Sequence, residues 1–161
     1  VPDPYPATPS SEAAQAADQL KALPSLEDTR AQVQSAIDEV TAAAAEAIPQ
    51  IAWRAATNAG EGNCQAPYEQ TDGRRYFLAN QVAENVTASE DQWRRLLQVA
   101  QDAAAKLGAT DVEVMQDQPG NHDVGFYGPT GLFIKFSYKG NMVVSGYTGC
   151  RLPEAKRSAV Q

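Results

Sequence analysis

Two cysteines, Cys64 and Cys150, place the tightest constraint on how this chain folds. They stand 86 residues apart, which matches neither zinc sites nor redox motifs, both built from close CxxC-type pairs. Cys64 lies in "EGNCQAPYEQ" (61–70), a polar, glycine-bearing stretch where no core is expected. Cys150 ends "GYTGC", the last strand-like run. One distant pair with no thiol left over reads best as a single disulfide, the alternatives being two unrelated thiols or a reactive one. Such a bond would stabilise the fold by roughly 4 to 5 kcal/mol on the chain-entropy model. It would also imply an oxidising compartment, because disulfides persist in secreted, periplasmic and cell-surface proteins.

The composition fits one ordinary globular domain, with 161 residues, 43% of them hydrophobic and 20% charged. A net charge of −7 and a pI near 4.6 oppose nucleic-acid binding, which needs a concentrated surplus of lysine and arginine. Arg74-Arg75 and Arg94-Arg95 are too short to change this and read as solvated surface. No run approaches about 18 consecutive apolar residues, so no membrane-spanning helix is expected.

The opening "VPDPYPATP" is rich in proline and favours an extended spacer. "SSEAAQAADQLKAL" then reads as a short, alanine-rich helix that Pro24 ends. Residues 1–24 are therefore expected to form a tether, residues 25–152 a single domain, and residues 153–161 a polar tail. Ser25 and Asp28 make a helix start signal of the capping-box type. Leu26, Val33, Ile37, Val40, Ala44 and Ala47 follow as one buried stripe, and Pro49 stops the helix. A short strand carries Trp53, and Cys64 anchors the long loop 57–73. "RRYFLANQVAEN" alternates as a strand with Tyr76, Leu78 and Val82 on one side. Ser89 and Gln92 cap a second helix that faces inward through Trp93, Leu96, Leu97, Ala100, Ala104 and Leu107, with Gly108 at its end. Four strands come next, punctuated by Pro119-Gly120, "GPTG" and "KGN". In "LFIKFSY", Leu132, Ile134, Phe136 and Tyr138 share a buried face. The order predicts an α+β, two-layer sandwich: a mainly antiparallel sheet with two helices packed on one face.

No sequence motif for metal-dependent hydrolysis, serine nucleophiles, dinucleotides or phosphate loops occurs. His122, the lone histidine, neighbours Asp123. Adjacent strand residues point to opposite faces, so Asp123 cannot orient the ring, and His122 is expected to be structural. Asp117, Asn121 and Asp123 lack the spacing of a calcium loop. Glu90-Asp91 suit the positive end of the second helix. These residues call for no enzymatic activity, no metal and no cofactor. Most aromatics are expected in the core, but Phe133 and Tyr147 lie on strand faces opposite to Phe136 and Val144. Together they would form an exposed aromatic patch of the kind that marks a binding surface.

Taken in order, "AIPQIAW" (47–53), the "GNC" loop, "SEDQWRRLLQVAQDAAAKLGAT" (89–110), "FIKF" and "GYTGCRL" resemble the LppA-type lipoproteins of mycobacteria. The resemblance spans roughly residues 36–152. It implies an exported precursor cleaved before a lipid-modified cysteine, which would lie upstream of Val1, and an extracytoplasmic domain held at the cell membrane. It transfers Cys64 and Cys150 as a disulfide and no catalytic residue. The expected function is a lipid-anchored, non-catalytic binding module. Its partners would be the membrane, through the anchor, and an envelope protein, polymer or lipid, but no nucleic acid. The alternative is a carrier of a lipid or other apolar small molecule, which needs an apolar cavity of about 300 Å³ or more.

Overall fold

A computed structural model describes residues 6–158. Local signals account for both long helices. Helix α2 (Leu26–Ala47) starts where Ser25 accepts a hydrogen bond from the Asp28 N–H. Helix α3 (Glu90–Ala105) has a complete capping box. Ser89 accepts from the Gln92 N–H, and the Gln92 side chain accepts from the Ser89 N–H. A cap of this kind is worth about 1 kcal/mol. Gly108, at φ +81°, turns the chain out of α3 in the left-handed region.

Eight strands form one antiparallel sheet. They are β1 (Trp53–Ala55), β2 (Gly60–Asn63), β3 (Arg74–Phe77), β4 (Gln81–Ala83), β5 (Asp111–Gln118), β6 (Asn121–Tyr127), β7 (Phe133–Lys139) and β8 (Asn141–Tyr147). The main path runs β1-β4-β8-β7-β6-β5, and β3 also pairs with β8 and carries β2. Helix α2 lies on β8 and β3, and α3 lies on β7 and against α2. The two-layer α+β sandwich expected from the sequence is the observed architecture.

Between the layers, Val33, Ile37, Val40 and Trp93 from the helices meet Phe126, Ile134, Phe136, Met142 and Val144 from the sheet, all buried. Each such side chain stabilises the fold by about 1.5–3 kcal/mol when fully buried. Gly146 sets the closeness of α2, because a Cβ there would stand 2.5 Å from Val33 Cγ1.

Three features differ from the sequence reading. "RRYFLANQVAEN" is two strands, because the Asn58 side chain replaces a strand partner between them. It accepts from the Asn80 N–H at 2.8 Å and donates to the Leu78 carbonyl at 3.1 Å. The register flips at that point, so Ala83 rather than Val82 is buried. The loop 57–73 contains β2, paired with β3 along its whole length.

The third difference concerns the N terminus. Helix α1 (Ser10–Lys21) belongs to the packed structure instead of a free tether ending at residue 24. Leu20 is fully buried against Cys64, Cys150 and Leu152. Ahead of the helix, the Thr8 N–H donates to Glu69 Oε1 at 2.8 Å, and Gln70 donates to the Thr8 carbonyl at 2.7 Å. Composition suggested a spacer because alanine buries little area, yet Ala16 and Leu20 are both buried and dock the helix. At the other end, the tail begins with a short helix, α4 (Glu154–Ser158), whose Glu154 N–H donates to Glu27. Residues 1–5 of the expected tether and 159–161 of the expected tail lie outside the described residues.

Candidate functional site

Because α2 and α3 both lie on one face of the sheet, the residues that alternate with the core point to the other. There the antiparallel register places Tyr127 opposite Phe133, Phe133 opposite Tyr147, and Tyr147 opposite Phe77. Four aromatic rings from β6, β7, β8 and β3 thus form a row across the strands. Their centroids are 5.5 Å apart for Tyr127–Phe133, 4.3 Å for Phe133–Tyr147 and 4.5 Å for Phe77–Tyr147. The last two pairs meet edge to face, an arrangement worth about 0.5–1.5 kcal/mol beyond the buried area. Phe133 and Tyr147, expected from the sequence as an aromatic patch, are its two central rings. Both are half-buried, because the rings shield each other.

Arg75 extends the row. Its guanidinium carbon lies 5.0 Å from the Phe77 centroid, and its Nε is buried without a hydrogen-bond partner. Its neighbour Arg74 is spent on Glu61 at 2.8 Å and on Asn63. Arg75 forms no ion pair among the described residues. The reading of Arg74 as solvated surface stands, since its ion pair with Glu61 is exposed, whereas Arg75 is held over a ring. The signal that would have found Arg75 is its i, i+2 spacing to Phe77, which puts the two on one face.

Beside Arg75 and Tyr147 lies a concavity of about 300 Å³, walled by the Cys64–Cys150 disulfide, Tyr68 and Thr130. The Tyr68 hydroxyl donates to Gln19 of α1 at 2.7 Å, so α1 braces that wall. Next to Cys150, Arg151 is only 3% exposed and has an unpartnered Nε. Burial lowers its guanidinium to about 10, so it stays cationic near neutrality. Neither Arg75 nor Arg151 has a carboxylate partner among the described residues.

A second cluster was not anticipated from the sequence. His122 is buried, and Trp93 stacks on its ring at 4.6 Å. Its Nδ1 lies 3.1 Å from Asp117 Oδ1, and its Nε2 lies 2.8 Å from Glu90 Oε1. With a carboxylate at each nitrogen, both contacts are satisfied when both nitrogens carry a proton. Hydrogen bonding from His122, and then from the Gly120 N–H, holds the Glu90 carboxyl below the usual carboxylate range. Asp123, the sequence neighbour, points away from the ring and pairs with Lys135 at 3.1 Å. The arrangement leaves neither ring nitrogen free for a substrate and fastens the β5–β6 turn to the start of α3. Among the described residues, no group of three or more metal-ligating side chains could hold an ion.

The carrier alternative requires space between the layers. At that interface Trp93, Phe126, Phe136, Ile37, Leu132 and Ile134 are all buried to within 2%. The groove between α2 and α3, of about 320 Å³, lies on the helices' outer side and is lined partly by Gln32, Glu39 and Lys106. Among the described residues, no helix is long and apolar enough to cross a membrane.

Comparison with known proteins gives the fold a context. The crystal structure of the lipoprotein LppA from Mycobacterium tuberculosis is similar with a TM-score of 0.67 and 18% identity, over 92% of this chain and 90% of that one. A DUF4853 family protein from Actinomyces odontolyticus is similar with a TM-score of 0.52 and 16% identity, over 96% of this chain and 74% of that one. At such identities the likeness concerns the fold. No curated protein matches the chain. The family model for LppA, described as a lipoprotein confined to pathogenic Mycobacterium, matches residues 1–154. The chain belongs to the LppA family of lipoproteins.

Proposed function

We propose that this chain is the extracytoplasmic domain of a lipid-anchored envelope lipoprotein, and that it acts as a non-catalytic binding module. Its contact surface is the row Tyr127–Phe133–Tyr147–Phe77 with Arg75 at the end. The observation that carries this reading is the unpaired Arg75 beside four rings on the sheet face away from α2 and α3. A row of rings in mutual contact offers an apolar surface, and an arginine without a carboxylate offers its charge to an anion. The matching ligand is an envelope component with an apolar or ring-like body and a negative group. The membership in a lipoprotein family and the disulfide both support placement outside the cytoplasm.

Co-sedimentation with purified cell-envelope material tests the reading. The double variant Phe133→Ser with Tyr147→Ser is expected to lose most binding, and Arg75→Gln to weaken it and reduce its dependence on salt. Circular dichroism would verify that each variant remains folded. Retention of full binding by both folded variants would remove this surface as the contact site.

A further inference from the structure

We propose that strand β5 is a docking edge that receives an extended segment alternating basic and apolar residues, which adds to the sheet as a further strand. This edge meets the aromatic row only at Asp111, which lies opposite Tyr127. Strand β5 ends the sheet, and its outer edge has no strand partner among the described residues. All eight of its residues are exposed, on both faces. Edges of this length are usually blunted by lysine, proline, a bulge or a covering helix. Asp111–Gln118 contains neither lysine nor proline, and its irregularity at Met115 lies past the regular stretch Asp111–Val114.

The two faces of β5 specify the occupant. Val112 lies opposite Phe126 and Val114 opposite Val124, and both partners are buried in the core. The two valines therefore sit on the helix side of the sheet, yet they are 48% and 58% exposed, and Met115 beside them is 51% exposed. Helix α3 packs on β7, so the sheet runs out beyond its cover. Met115 occupies the irregularity between Val114 and Gln116, where the register shifts. On the open side, Asp111 lies opposite Tyr127 and Glu113 opposite Gly125. Neither acid forms an ion pair among the described residues. A strand laid along this edge would place alternate residues beside Val112 and Val114 and the others beside Asp111 and Glu113. Apolar residues fit the first set, and lysine or arginine the second. A second copy of β5 is the poorer occupant, because it would bring Asp111, Glu113 and Asp117 to an edge that already carries the same three acids and no lysine or arginine. The edge is also preformed: the Asp117–His122–Glu90 contacts fix the turn at its end, so little ordering is needed on binding.

The test uses a capped synthetic peptide as long as β5 that alternates lysine with valine, and a control peptide with glutamate for lysine. Calorimetry is expected to show saturable binding of the lysine peptide alone, weakened by salt. Hydrogen exchange is expected to show protection of β5 amides and no change in β3. The variant Glu113→Lys, on an exposed position, should weaken the lysine peptide by on the order of tenfold and allow the glutamate peptide to bind. Val112→Lys with Val114→Lys should abolish binding of the lysine peptide while circular dichroism stays unchanged. Failure of the lysine peptide to bind would overturn the proposal, as would equal binding of both peptides or protection elsewhere. So would self-association of the unliganded protein with β5 amides protected, which would assign the edge to a second copy.

Discussion

At the scale of single residues, His122 shows how charge is used inside this domain. Its ring lies flat on Trp93, which also stacks on Phe136, so a polar group continues an aromatic stack that reaches the core. Glu90 and Asp117 supply its hydrogen-bond partners from α3 and β5. The Glu90 carboxyl is held below its ordinary value of 4.5. A group whose folded value is depressed contributes stability above its unfolded value and loses it as pH falls through the folded one. Thermal unfolding should therefore show Glu90→Gln less stable than the parent near neutrality, with the gap closing on acidification below the carboxylate range. Parallel profiles at all pH values would mean that the His122 contact adds no stability. Glu69, lowered by its bonds from Thr8, belongs to the same acid limb but lies at the other end of the molecule. The alternation of strand faces rules out Asp123 as the ring's partner, but the real partners were not legible, because they come from across a hairpin and from 32 residues upstream.

Among the elements, those defined by local chemistry were readable and those defined by distant contacts were not. Ser89 and Gln92 announce α3, and the alternation of Ile134, Phe136 and Tyr138 announces β7, because cap and pleat are decided within a few residues. The same alternation put Phe133 and Tyr147 on one face. Their partners Tyr127 and Phe77 depend on the strand order, which no local pattern carries. The break between β3 and β4 comes from the side chain of Asn58, in a segment that looked like loop. Helix α1 is the clearest case, since its alanines signal helix but not destination. Leu20 decides the matter by filling the space against the disulfide. Leu20→Ala is expected to cost about 2–4 kcal/mol in denaturant unfolding. A change below about 0.5 kcal/mol, within the range of surface substitutions, would return α1 to the status of a tether.

For the molecule as a whole, the Cys64–Cys150 bond joins the β2–β3 loop to the end of the sheet and gives α1 its seat. Its pairing was legible by counting thiols. Its role as a seat was not, because Leu20 and Leu152 meet it only in the folded chain. Replacing both cysteines by serine should lower stability by about 4–5 kcal/mol, chiefly through the freed unfolded chain. Hydrogen exchange should show α1 loosening before α2 and α3. Uniform loosening of the whole sheet, with α1 still protected, would contradict that order.

The same bond also governs how the molecule would answer a mechanical pull. Tension applied through the two ends of the chain cannot reach the 86-residue span between the bonded cysteines. At about 3.3–3.6 Å per residue, that span hides roughly 300 Å of contour length from extension. The first segment to bear the load would be α1 with its leucine, while the aromatic row and the acidic margin of the sheet stay inside the shielded span.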